Sequence, residues 1–109
     1  VLLNDPTYVE AARAFATRIL SECQGDAPAR LRWAWQIALQ RDAAAEEVKV
    51  VGDLVAKHLA AYRTDPAAAE ALLGVGLMPI PERLDKVELA AWTHAARVLL
   101  NLHESVTRE

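Results

Sequence analysis

The feature that most constrains this chain is the spacing of its apolar residues, which recur every three or four positions through most of the 109 residues. This spacing is the period of an amphipathic α-helix. No stretch alternates convincingly with the period of two that is typical of a strand. The sequence therefore predicts an all-α fold, a compact bundle of four main helices and one short helix, without a sheet.

Start signals show where the helices begin. An Asp side chain can cap the free N–H groups of a first turn, and Pro has the φ angle that the first helical position requires. Such signals, and one pair that resembles a capping box, occur at Asp5-Pro6, Asp26-Ala27-Pro28, Asp65-Pro66 and Asp85 with Glu88. The third helix is predicted from about Ala44 to Tyr62. Glycines are the predicted ends, Gly25 for the first helix and Gly74 or Gly76 for the fourth.

The same spacing predicts which side chains are buried. On the first helix the polar residues Glu10, Arg13, Thr17 and Arg18 are expected to face away from the core. On the second, Ile37 is expected to widen the apolar face. The last helix is expected to be the central and most buried one. Its apolar stripe is predicted to comprise Leu89, Trp92, Ala96, Leu99, His103 and Val106.

Composition limits the class of protein. Hydrophobic residues make up 53% of the chain, but many are Ala, so Trp33, Trp35 and Trp92 are expected to supply core bulk. The length suits one domain over residues 1–109. The net charge of −3 argues against nucleic-acid binding, which needs a basic face. No stretch is apolar for long enough to predict a membrane span. Cys23 is alone, so no internal disulfide or thiolate metal cluster is predicted.

The three histidines do not form a recognisable metal motif. A helical zinc motif places two His four residues apart, whereas His94 and His103 are nine apart. His58 is expected at the boundary between core and solvent. The sequence also has no nucleophile elbow, dinucleotide fingerprint or haem-attachment motif. We therefore predict no catalytic residue, cofactor or metal, and leave open a metal site assembled by folding.

A polar stripe on the last helix is the main candidate site. Its members share one helical face and are His94, Arg97, Asn101, Glu104 and Arg108. One interpretation is a solvated face with weak ion pairs. The other is a surface that docks on another domain, where Arg and Asn supply directional hydrogen bonds. We select Arg97, Asn101 and Glu104 as predicted interaction residues.

Three segments together resemble a known family. They are LNDPTYVEAARAFATRIL, RLRWAWQIALQR followed by AEEV, and ELAAWTHAARVLLNLHESVTRE. In this order they resemble the C-terminal domain of unknown function of large planctomycete proteins described as cytochrome-c-associated. The resemblance implies an exported, multi-domain parent, in the periplasm or cell envelope, but no catalytic residue. The start on Val without Met fits a piece of something longer.

The chain departs from that pattern at several positions. Where the family usually has Gly-Arg-Pro and a Thr cap, this chain has Gln40, Asp42 and Ala44, so Asp42 is a candidate cap. His103 replaces an Asp or Asn, and Ser105 replaces an aromatic residue.

The favoured interpretation is a non-catalytic packing or interaction module at the C-terminus of a larger exported protein. Its expected partners are neighbouring domains of that protein. One alternative is a wall of a redox or polysaccharide-processing enzyme whose catalytic residues lie upstream, in which His94 and His103 would matter. Another is a homodimer that uses the apolar faces of the second and last helices.

Overall fold

The computed structural model describes residues 6–74 and 83–107, and it describes side chains for residues 9–74 and 83–103. The helices are α1 (Pro6–Glu22), α2 (Ala27–Leu39), α3 (Ala45–Thr64), α4 (Pro66–Leu73) and α5 (Lys86–Thr107). No strand occurs within these described ranges. The predicted all-α fold of four main helices and one short helix is therefore confirmed.

The Asp residues at three predicted starts accept hydrogen bonds from first-turn amides. Asp26 accepts from the N–H of Ala29 at 3.0 Å, and Asp65 accepts from the N–H of Ala68 at 3.3 Å. Asp85 accepts from the N–H of Val87 at 3.1 Å. The predicted partner of Asp85 does not complete a capping box, because Glu88 lies 3.7 Å from Arg30 of α2 instead. The predicted cap Asp5 lies outside the described residues.

The end of α1 differs from the prediction. The helix ends at Glu22 rather than at Gly25, and the amide side chain of Gln24 donates to the Ser21 carbonyl at 2.9 Å. Gly25 is needed for another reason. A Cβ at this position would lie 2.7 Å from the Ala29 Cβ, closer than side-chain carbons approach. Glycine therefore lets the α1–α2 loop pass tightly over the first turn of α2.

The start of α3 is stabilised by an ion pair rather than by a capping side chain. The cap position is Ala44, which has no side-chain acceptor. Glu47 accepts from the Ala44 N–H at 2.8 Å and binds Arg41 through two bonds of 2.9 and 2.8 Å. These hydrogen bonds lower the pKa of Glu47 to about 2, and the bond to Arg41 contributes most to this change. The prediction that Asp42 is the cap is wrong, because its carboxylate accepts from the Gln36 amide.

Helix α5 lies at the centre, as predicted, and each of the other four helices packs on it. Four of its alanines have no exposed surface, and their small size lets the neighbouring backbones approach closely: Ala90, Ala91, Ala95 and Ala96. The bulk of the core comes from Trp35 and Trp92, which are 1% and 2% exposed. Trp33 is half-buried at the edge of the core.

Three predicted side-chain orientations are wrong. Arg13 is 4% exposed, and its guanidinium donates to the carbonyl of Leu73, at the C-terminal end of α4. Buried helix carbonyls need a donor, and a cation is favourable at the negative end of a helix dipole. Ile37 is 43% exposed instead of widening the core, and His103 is exposed. The connection between α4 and α5 contains Leu77, Met78 and Ile80, whose apolar side chains favour packing back on the core. These three residues lie outside the described ones.

We expect Arg13→Met to lower the free energy of unfolding by about 2–4 kcal/mol, because it leaves the buried end of α4 without a charged donor. Urea denaturation measures this change. The control is Arg32→Met, since Arg32 is an exposed arginine of α2. That change should stay within about 0.5 kcal/mol. Equal effects of the two substitutions would contradict the capping role of Arg13.

Gln40, which follows α2, has a φ angle of 56° in the left-handed region. Glycine adopts this conformation without the steric cost that other residues have. We expect Gln40→Gly to raise the free energy of unfolding by about 0.5–1 kcal/mol. The same substitution inside the helix, Arg32→Gly, should lower it by about 1 kcal/mol. Thermal and urea denaturation of both variants test the contrast.

Candidate functional site

Helices α3 and α5 bring two histidines and a tyrosine together. The rings of His58 and His94 stack with centroids 3.7 Å apart and planes within 3°. The Tyr62 hydroxyl lies 2.7 Å from Nε2 of His94, a hydrogen-bond distance. The centroid of the Tyr62 ring lies 5.9 Å from each of the two imidazoles. We call these three residues the His–Tyr cluster.

The surroundings of the cluster disfavour positive charge on either imidazole. Burial lowers the pKa of His94 to about 4, and the nearby His58 and Arg97 act in the same direction. Burial also lowers the pKa of His58, with further contributions from Lys57 and Arg97. Burial raises the pKa of Tyr62, and Arg97 opposes this. Near neutral pH both rings are therefore uncharged, which allows them to stack face to face.

This geometry does not suit a metal. Ring nitrogens bind metals in the plane of the imidazole, and two parallel planes 3.7 Å apart cannot direct both lone pairs at one ion. No group of three or more His, Cys, Asp or Glu side chains placed to hold a metal occurs within the described residues. His94 and His103 are about two and a half turns apart on α5 and line different clefts. The structure thus does not assemble the metal pair that the sequence left open.

A cleft opens beside the His–Tyr cluster and contains two of the predicted interaction residues. It has a volume of about 320 Å³ and is lined by Leu54 of α3 and by His94, Arg97, Val98, Asn101 and Leu102 of α5. Arg97 and Asn101 therefore lie together at one cleft. The side chain of the third predicted residue, Glu104, lies outside those described.

A neighbouring cleft extends this one toward the start of α3. It has a volume of about 310 Å³, and it shares Val98 and Leu102 with the first. Its far wall contains Glu46, Glu47 and Val50, and Val50 is 60% exposed. We call the two clefts together the α3–α5 groove. One end of the groove is apolar with an acidic rim, and the other end presents an imidazole, a guanidinium and an amide.

A third cleft lies on another side of α5. It has a volume of about 610 Å³ and apolar walls formed by Ala14, Phe15, Ile37, Ala38 and Leu100. Thr17, Arg18 and His103 add polar groups to its lining. We call it the α1–α2 cleft. The exposed Ile37 lies in its wall rather than in the core.

Two of the described hydroxyl side chains, those of Ser21 and Thr93, have hydrogen-bond partners that cannot act as a base. The Ser21 hydroxyl accepts a hydrogen bond from Arg83 at 2.9 Å, and an arginine cannot act as a base. The Thr93 hydroxyl is fully buried and donates to the Leu89 carbonyl at 2.7 Å. Cys23, just after the end of α1, is a half-exposed free thiol.

The sequence pattern did not predict the His–Tyr cluster. It placed His58 at the boundary between core and solvent and His94 on the polar stripe of the last helix, but it did not indicate that the two rings meet. The available signal was the spacing of His58 and Tyr62, since residues four apart on a helix share one face. The side of α5 that they meet depends on how α3 packs, which the spacing does not determine.

A family model described as PSD1, protein of unknown function (DUF1553), matches residues 1–55. No curated protein and no solved structure matches the chain. None of the described helices is long and apolar enough to cross a membrane.

We expect the free energy of unfolding to fall as the pH drops from about 6.5 to about 4, because His94 takes up a proton more readily in the unfolded chain. Above pH 6.5 the ring is neutral in both states, and below pH 4 it is protonated in both, so its contribution changes only between these values. After allowance for partial exposure, the effect is about 1–3 kcal/mol.

Urea denaturation at pH values from 3.5 to 7.5 tests this in wild type and His94→Gln. The variant should lose the part of the pH dependence that His94 contributes, about 1–3 kcal/mol between the two limits. The control is His103→Gln, which removes an exposed imidazole from the same helix. An unchanged slope in His94→Gln would show that His94 is not the titrating group.

Proposed function

The chain belongs to the family of proteins of unknown function DUF1553, and within that family we propose that it is a non-catalytic interaction module. Its α3–α5 groove docks a helix from a neighbouring domain of the same longer polypeptide. The single observation that carries the proposal is the position of Arg97 and Asn101 together at the polar end of the α3–α5 groove.

The shape of the groove fits a helix. Along α5 its lining runs from His94 to Leu102, which spans about 12 Å, or more than two helical turns. Docked helices place apolar side chains at intervals of three and four residues, and they need a groove of this extent. The exposed Val50 and the half-buried Val98 and Leu102 supply the apolar contacts.

The polar end of the groove favours particular chemical groups on the partner. A guanidinium and an amide offer several donors in fixed positions, which suits a carboxylate or a carbonyl on the partner. The apolar end is bordered by Glu46 and Glu47 at the start of α3. A partner helix with an acidic residue at one end and a basic residue at the other would match both ends.

The wider context completes the proposal. We place the parent protein outside the cytoplasm, in the periplasm or cell envelope, on the basis of the resemblance to the planctomycete cytochrome-c-associated proteins. Its enzymatic activity, if it processes a redox or polysaccharide substrate, would reside in upstream domains. The module described here would complete the fold of that parent.

We expect the 109-residue domain to bind the remainder of its parent polypeptide when the two are produced separately. Arg97→Ala and Asn101→Ala should each weaken the association about 5- to 30-fold, because each removes directional donors from the groove. Comparison of the double variant Asn101→Ala/Glu104→Ala with Asn101→Ala alone tests the contribution of Glu104, the third predicted interaction residue. Isothermal titration calorimetry measures the affinities.

The matched control is Arg32→Ala, which removes an exposed arginine from α2, away from the groove. Urea denaturation of each variant separates lost binding from lost folding. Unchanged association in Arg97→Ala and Asn101→Ala would overturn the proposed docking surface. Self-association of the isolated domain in sedimentation, weakened by Val50→Asp, would instead assign the groove to a homodimer.

A further inference from the structure

We infer that the α1–α2 cleft is a binding site for a single-chain amphiphile with an anionic headgroup, of the chemical class of a long-chain fatty acid. The inference concerns a different face of the molecule from the α3–α5 groove. It therefore stands or falls independently of the proposed docking function.

The cleft lies between two helices that pack on α5 more closely than on each other. Helices α1 and α2 both pack on α5 but pack much less against each other. Ala14 of α1 and Ala38 of α2 both line the cleft, and Phe15 and Leu100 contribute further apolar wall. The resulting volume of about 610 Å³ lies within the range of roughly 300–1,000 Å³ that is typical of small-molecule sites.

The exposed apolar surface in this cleft suggests an apolar occupant. Ile37 is 43% exposed although it is a large aliphatic residue, and its neighbours in the cleft are also apolar. A hydrocarbon chain that enters the cleft would remove this surface from water, which is the main favourable term for such ligands.

The polar groups lie where a headgroup could bind. Arg18 and Thr17 of α1 and His103 of α5 all line the cleft. The Arg18 guanidinium pairs with Glu22 at 2.9 Å and lies 5.6 Å from the centre of the Trp33 ring. Both members of this pair are about half exposed, so the pair is weak and solvated. A carboxylate ligand can share the remaining donors of the guanidinium, which carries five N–H groups.

The dimensions favour a narrow chain over a docked helix. The wall on α1 runs only from Ala14 to Arg18, about 6 Å, or one helical turn. Helix-in-groove recognition uses anchors spread over at least two turns. The α3–α5 groove has that length and the α1–α2 cleft does not. An alkyl chain needs only a short apolar surface with one polar end.

Decanoate, titrated below the concentration at which it forms micelles, is the probe. We expect one molecule to bind per chain in isothermal titration calorimetry. Because Trp33 lies beside Arg18, we also expect a saturable change in tryptophan fluorescence. Decyltrimethylammonium, which has the same chain and a cationic headgroup, should bind at least about fivefold more weakly, because the Arg18 guanidinium repels a second positive charge and the trimethylammonium group cannot form the ion pair that a carboxylate forms.

Two substitutions separate the roles of tail and headgroup. Ala38→Trp fills the cleft and should weaken decanoate binding about 20-fold or more, while circular dichroism and thermal denaturation report that the helices are retained. Arg18→Gln should weaken decanoate binding about fivefold and remove the preference over the cationic analogue. The matched control is Lys49→Gln, because Lys49 also pairs with a carboxylate four residues on, Asp53, but on α3.

If Ala38→Trp does not fold, Ala14→Leu fills the same cleft from α1 and takes its place. Failure of decanoate to saturate below micelle formation would overturn the inference. Equal affinities for decanoate and the cationic analogue would overturn the inference that the ligand's headgroup is anionic. Unchanged decanoate affinity in the filled variant would overturn the inference that decanoate binds in this cleft. A wild-type dimer that Ile37→Glu dissociates, without decanoate binding, would show that a second copy covers the cleft.

Discussion

The structure depends on one helix, α5, against which each of the other four helices packs. Helix α5 must offer each neighbour a close approach without leaving voids, and its fully buried alanines, from Ala90 to Ala96, make that possible. Small side chains let backbones approach, and the large rings of Trp35 and Trp92 fill the spaces that remain. A larger residue at one of these alanines would displace a neighbouring helix, so the geometry of the three clefts described above depends on this packing.

The same arrangement explains why polar and apolar features share the surface of α5. A helix that contacts four others has only narrow strips of its circumference left for solvent. On one strip the His–Tyr cluster and the polar end of the α3–α5 groove lie side by side. On another, the α1–α2 cleft exposes aliphatic walls. We propose different occupants for these two surfaces, a helix with charged ends for the first and a hydrocarbon chain with an anionic headgroup for the second.

Much of the fold was predictable from local chemistry. The caps at Asp26, Asp65 and Asp85 act on amides two or three residues away, so they can be recognised in a short window of sequence. The errors arose where a distant element decided the outcome. Arg13 is buried because the end of α4, 60 positions later in the chain, needs a donor. Gln40 adopts a left-handed conformation because the chain must turn there, although Gln has no intrinsic preference for it.

The sequence by itself determined the number of helices, their approximate bounds, the central role of α5 and the common helical face of Arg97 and Asn101. These properties follow from periodicity and capping, which act over a few residues. Only the tertiary structure decided that His94 stacks on His58 rather than facing solvent, and that Ile37 lines a cleft rather than the core. Helical spacing specifies which residues share a face, but the identity of the opposing surface depends on how the helices pack in three dimensions.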